Sequence, residues 1–229
     1  MSFFLNHLKS HTIVTLPVPE KKFTGKTIIV TGSNSGLGLE AARWLYVRLD
    51  AQKVILAVRS SSKGEAARQS IIDSTSCSPD ILEVWNLDLC SQSSVKEFAH
   101  RANALPRLDI LVSNAGIYVF DFKIAEGNEE TICVNVVNTF LLALLLLPKL
   151  RETSIEFDTR GVMTFTGSFV HQLTTFPERR AGNVFEELRG IILDNITRWD
   201  SDPEGYLDGV IAGVGEDRTG DYGKYMNGD

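Results

Sequence analysis

The sequence predicts an α/β protein built on one doubly wound, parallel sheet. Three observations carry this reading. Five short runs rich in apolar and β-branched residues recur before residue 170, mostly with helical patterns between them. The first run is apolar almost throughout, as a strand buried on both faces must be. A glycine-rich turn follows that strand directly and opens a helical pattern, the arrangement of a βαβ unit.

The elements follow in order. "KTIIVTG" (26–32) is the central strand. "LGLEAARWLYVRLDA" (37–51) is a helix, with Leu37, Ala41, Leu45 and Leu49 spaced i, i+4 on its apolar face. "KVILAVR" (53–59) and "LEVWNLDL" (82–89) are the second and third strands, separated by the helical "SSKGEAARQSII" (61–72). "SSVKEFAHRA" (93–102) is a helix in which Ser94 and Glu97 fit a capping box. "LDILVSNAG" (108–116) and "GVMTFTGS" (161–168) are the fourth and fifth strands. The intervening "ICVNVVNTFLLALLLLPKL" (132–150) reads as a buried helix that ends near Pro148. Its most apolar stretch, residues 140–148, is far shorter than a membrane span. The same helix is compatible with burial inside one domain or with a homo-oligomer interface.

Composition sets the remaining bounds. At 229 residues, 43% hydrophobic and 23% charged, the chain suits one soluble domain. A net charge of −6 argues against nucleic acid as the main partner. Cys77, Cys90 and Cys133 are odd in number and form no CxxC pair, so the expectation is a reducing, cytoplasmic setting without a metal site. The opening residues carry no secretory-signal pattern. From residue 182 onward, 48 residues hold nine of the 18 glycines and show little period beyond "NVFEELRGIILDNI" (183–196). The expected division is a leader over 1–22, a nucleotide-binding domain over 23–176, and an irregular, partly disordered tail over 177–229.

The most specific local signal is "TGSNSGLG" (31–38). Gly32, Gly36 and Gly38 permit a tight turn and close backbone approach to a pyrophosphate, and the following helix points its amides and positive dipole there. Together with "LDL" at 87–89, "NAG" at 114–116, Asn135 within "VNVVNTF", and "TGS" ending at Ser168, this GxxxGxG turn resembles the short-chain dehydrogenase/reductase family. The residues before position 44 look most like its fungal secondary-metabolism branch. The resemblance implies a Rossmann-like sheet of order 3-2-1-4-5 and hydride exchange between a nicotinamide cofactor and a carbonyl or alcohol of a small molecule. It implies a cofactor site of Gly32, Ser33, Ser35, Gly36, Leu37, Gly38, Asp88, Leu89, Asn114, Ala115 and Gly116, with Asp88 on the adenine amino group. A helix-capping aspartate is the plain alternative for Asp88.

Arg59 and Lys63 follow the second strand, with no acid before Glu65. A guanidinium there fits a ribose 2′-phosphate, so NADP(H) is the expected cofactor; a merely solvated arginine would leave the preference open. By the same resemblance Ser168 would hold the substrate oxygen, and Asn135 would support a water chain to a catalytic lysine. A strand-end turn serine and a polar helix residue are the plain alternatives. The family's YxxxK pair does not occur: after Tyr46, Tyr118, Tyr206, Tyr222 and Tyr225 the residues four positions on are Asp50, Phe122, Val210, Met226 and Asp229. The C-terminal strands of the full family fold are not recognisable either. The sequence therefore leaves two expectations, an oxidoreductase or a catalytically inactive nucleotide-binding remnant that acts by association with another chain, with truncation before YxxxK as the reason for the second.

Overall fold

The computed structural model describes residues 22–47, 49–119, 122–167 and 180–188. The leader before Lys22, the tail after Leu188 and Ser168 lie outside the described residues.

Five strands form a parallel sheet: β1 (Thr27–Thr31), β2 (Lys53–Val58), β3 (Leu82–Asn86), β4 (Ile110–Ser113) and β5 (Val162–Phe165). Their order is 3-2-1-4-5, the expected doubly wound arrangement. β1 is central and buried at every residue. Its register runs from Thr27 opposite Lys53 to Thr31 opposite Ala57, and Ile28 opposite Ile110 to Val30 opposite Val112.

Helices α1 (Gly36–Val47) and α2 (Ser61–Thr75) cover one face; α3 (Gln92–Asn103) and α4 (Glu130–Glu156) cover the other. The pleat divides the core between them. Ile28 and Val30 join Ala42, Leu56 and Ile71 on the first side; Ile29 joins Phe98, Leu111, Leu142 and Leu146 on the second. Trp85 packs edge-on against Phe98 at 5.6 Å, and the Arg101 guanidinium lies 3.7 Å over its ring.

Three local expectations are corrected. On α1 the buried positions are Gly38 and Ala42, with Leu39 and Leu45 packed beside them; Leu37 is 75% exposed, and Leu49 lies beyond the helix. The helix starts on the glycine turn, which rotates its apolar face by one residue. On α3 the cap is Ser91, whose Oγ accepts from Ser94 N, while Ser94 Oγ accepts from Asp88 N at 3.0 Å. That is a cap one turn earlier than the Ser94–Glu97 pattern, with the Ser94 hydroxyl holding the Asp88 amide before the cap rather than the cap's own amide.

The third correction concerns α4. It does not end near Pro148 but continues to Glu156. Pro148 removes one bond to the carbonyl of Leu144, and both residues are exposed, so water can satisfy that oxygen. At 27 residues the helix is long and apolar enough to cross a membrane, unlike the nine-residue stretch considered from sequence. Its Leu142, Leu146 and Leu150 lie in the sheet core, the pattern of a core helix.

At the sheet's N-terminal edge a buried carboxylate ties the central strands together. Asp109 is fully buried and accepts from Thr27 N at 2.9 Å and from Arg107 Nε and Nη2 at 2.7 Å each. Its backbone donates to Thr27 O and accepts from Val162 N. Asp109 raises the Arg107 pKa by this hydrogen bond, and Lys26 Nζ stands 3.6 Å from the second carboxylate oxygen. Asp109→Ala is expected to cost about 3–5 kcal/mol, because it strands a partly buried guanidinium and the Thr27 amide. Chemical denaturation checks this: a loss below about 1 kcal/mol contradicts the role.

Candidate nucleotide-binding site

The C-terminal edge of the sheet opens into a cleft at the point where strand order reverses, between β1 and β4. Its floor is the turn after β1, and Thr31 builds it. The Thr31 hydroxyl accepts from both Asn114 N (3.0 Å) and Ala115 N (2.9 Å). In return Asn114 Nδ2 donates to Thr31 O at 3.1 Å, and its Oδ1 accepts from Thr166 Oγ1 at 3.3 Å. One threonine and one asparagine thus join the exits of β1, β4 and β5.

Two glycines let this junction pack closely. Gly32 has φ +66°, and a Cβ there would lie 2.8 Å from Ala115 Cα. A Cβ on Gly38 would lie 2.5 Å from Gly32 O and from Asn114 Nδ2. The backbones therefore meet closely under the start of α1, whose first amides face the cleft's end of the sheet.

The structure brings eight of the expected cofactor residues into the cleft lining: Gly32 and Ser35 after β1, Arg59 after β2, Asp88 and Leu89 after β3, and Asn114, Ala115 and Gly116 after β4. Others stand differently. Ser33 is buried and its hydroxyl donates to Val30 O at 2.9 Å, closing the turn. Gly36 and Leu37 form an exposed shoulder, Gly38 packs beneath, and Lys63 is exposed in the first turn of α2, its amide donating to the cap Ser60. Asp88 Oδ1 accepts from Cys90 N at 2.9 Å, so this carboxylate shapes its own turn, while the helix cap is Ser91.

Asn135 sits in a π-helical stretch of α4, Cys133–Asn138. Its amide does not serve its own turn. Oδ1 accepts from Ile117 N and Nδ2 donates to Ile117 O, both at 2.8 Å, so the side chain pairs with the loop after β4 as a strand would. The wider π turn presents this amide to the cleft wall. Ser168 cannot be placed, since it lies outside the described residues.

Sequence reading missed Thr31, whose only signal is a hydroxyl immediately before the glycine turn. It also missed Asn34, Cys90, Ile117 and Val134 in the lining. Cys90 Sγ donates to Glu130 Oε1 at 3.4 Å. Burial first, then this hydrogen bond and the Asp88 charge, push the thiol up to about 11.

Two predictions follow from this geometry. Thr31→Val keeps the shape but leaves two backbone amides without their acceptor, and it should destabilise the fold by about 1–3 kcal/mol. An unchanged melting midpoint would contradict the junction. For Cys90, a raised pKa keeps the thiol protonated, so alkylation at pH 8 should run about 10²-fold slower than for an ordinary thiol and speed up as pH climbs toward 11. Glu130→Gln should accelerate it; site-resolved mass spectrometry reads both, and a rate equal to a free thiol's would refute the assignment.

Comparison with known proteins accords with this architecture. Residues 26–174 match the family model described as short chain dehydrogenase. The chain is 50% identical over 178 residues to the short chain dehydrogenase/reductase dmxR8 of Cryptosporiopsis sp., covering 77% of this chain and 55% of that protein. It is 45% identical over 188 residues to the short chain dehydrogenase atnD of Emericella nidulans, covering 81% and 59%. A short chain dehydrogenase structure from Escherichia coli CFT073, solved with NADPH, superposes with a TM-score of 0.53 at 26% identity, covering 77% of this chain and 69% of that one. The chain thus spans a little over half the length of these two fungal relatives. From its ordered motifs, its sheet and these matches, the chain belongs to the short-chain dehydrogenase family.

Proposed function

We propose that this chain holds NADP(H) in an oxidoreductase that exchanges a hydride with the carbonyl or alcohol of a small metabolite, in secondary-metabolite biosynthesis. The observation that carries the reading is the cleft at the reversal of strand order, lined after β1 by Gly32 and Ser35 and after β4 by Asn114, Ala115 and Gly116, where a doubly wound sheet takes a dinucleotide. Gly32, Ser35 and the first turn of α1 would hold the pyrophosphate; Asp88 and Leu89 the adenine; Asn114, Ala115 and Gly116 the nicotinamide-side ribose. When bound, the cofactor supplies or takes the hydride.

This chain's own residues bind and orient. Thr31 and Asn114 fix the ends of β1 and β4, and Asn135 fixes Ile117, so the wall against the nicotinamide end is set before ligand arrives. Ser168 is proposed to hold the substrate oxygen. The preference for the 2′-phosphorylated cofactor is supported by Arg59 in the cleft lining, whose carbonyl accepts from Asn86 Nδ2 at 2.8 Å, and by the nearby Lys63. The fungal sources of the two relatives support the metabolic setting. Three free cysteines support a reducing, cytoplasmic location.

A second reading, binding without turnover, is favoured by one fact: no tyrosine among the 229 residues has lysine four positions on. Fluorescence binding of NADPH, run beside NADPH oxidation with a panel of ketones and quinones, separates the two. The first reading expects saturable binding and turnover. Binding alone supports the second, and no binding contradicts both. Arg59→Ala should weaken NADPH at least tenfold while changing NADH little, and an equal loss for both cofactors would overturn the 2′-phosphate role.

A further inference from the structure

The π-helical stretch of α4, Cys133–Asn138, carries two asparagines three residues apart, and they reach opposite flanks of the cleft. Asn135 holds Ile117 after β4. Asn138 is fully buried, and its Nδ2 donates to Leu89 O after β3 at 2.7 Å. Leu89 and Ile117 both line the cleft, and β3 and β4 lie on opposite sides of β1. One turn of one helix is therefore bonded to both flanks. On an α-helix, residues three apart share a face; the wider i→i+5 turn swings them apart. Thr139 Oγ1 donates to Val134 O, five residues back, at 2.8 Å and supports that wider turn.

The backbone of the Asp88–Cys90 turn is otherwise held locally. Ser94 Oγ accepts from Asp88 N, Ser91 N donates to Asp88 O, and the Asp88 carboxylate accepts from Cys90 N. The Leu89 carbonyl instead takes its donors from α4, Asn138 at 2.7 Å and the Cys133 thiol at 3.9 Å. Packing alone does not call for an amide at position 138. Among the described residues no donor reaches Asn138 Oδ1, and a leucine of similar shape would be cheaper to bury. The bond to Leu89 is what the amide contributes.

We propose that Asn138 is a positioning residue for the adenine end of the cofactor: through the Leu89 carbonyl it fixes the turn after β3 before ligand arrives, as Asn135 fixes the loop at the nicotinamide end. A turn already held in its binding shape spares the ligand the cost of ordering it. This inference rests on the reading of the cleft as a dinucleotide site.

The test uses the full chain, with 2′,5′-ADP as a probe of the adenine end alone and NADPH as a probe of both ends. Asn138→Leu should weaken 2′,5′-ADP at least fivefold and NADPH by the same factor, without lowering the melting midpoint. Asn138→Ala, which removes the bond without adding bulk, should weaken both ligands likewise. Asn135→Leu should weaken NADPH while leaving 2′,5′-ADP within twofold. The Leu89 carbonyl carbon shift should move in the Asn138 variants and the Ile117 shift should not. In the unsubstituted chain, 2′,5′-ADP should slow solvent exchange of the Asn138 Nδ2 protons, because ligand and bond support the same turn. Unchanged 2′,5′-ADP affinity in both Asn138 variants, a loss that only tracks a lowered melting midpoint, or an equal loss in Asn135→Leu would each overturn this inference. So would an unmoved Leu89 carbonyl, amide exchange indifferent to the probe, or no 2′,5′-ADP binding by a chain that takes NADPH. These outcomes leave the cofactor reading intact. Failure of both ligands to bind the unsubstituted chain would overturn the cofactor reading, and this inference with it.

Discussion

The hydroxyl of Thr31 is the contact on which the rest of the site depends. It accepts two amides from the loop after β4, while Asn114 returns a hydrogen bond to the Thr31 carbonyl and takes one from Thr166. In a parallel sheet the strands diverge beyond their last ladder bonds, and the groups there need new partners. Where strand order reverses, α1 leads away on one face and α4 on the other, which leaves a gap between the two exits. The threonine–asparagine exchange spans it, and the glycines on either side let the backbones come close enough for the exchange to form.

The opposite edge is closed by different means. Asp109 is inaccessible to solvent and is surrounded by donors from Thr27, Arg107 and Lys26. A single carboxylate there sets the register of β1 against β4 and passes it to β5 through Val162. With the N-terminal edge fixed by charge and the C-terminal edge fixed by neutral hydrogen bonds, the sheet presents a stable frame whose functional end carries little charge of its own. Among the described residues lining the cleft, the charged Arg59 and Asp88 lie on the side of β2 and β3.

Strand and helix succession was legible because burial on two faces forces continuous apolar runs, and β1 is buried throughout. The glycine turn was legible because its backbone demands cannot be met by other residues, as Gly32 and Gly38 illustrate. What escaped was set by tertiary partners. Leu37 keeps the spacing of a core residue yet faces solvent, because the turn before it fixes the rotation of α1. Pro148 has the sequence signature of a helix end, but its missing bond falls on the exposed side of α4. Asn135 was picked out by resemblance, whereas its pairing with Ile117 exists only because α4 widens into a π turn beside that loop. Thr31 and Asp109 carry no pattern that distinguishes them from ordinary strand-end residues.

The central claim is that the junction of β1 and β4 is a preformed dinucleotide cradle. The most direct measurement is a titration of the isotopically labelled chain with NADPH, followed by backbone amide chemical shifts. The account predicts saturable shifts concentrated at residues 32–38 and 114–117, with those of Thr27, Asp109 and Val162 at the far edge unchanged. Shifts centred on the N-terminal edge, or no saturable shifts at the junction, would contradict it.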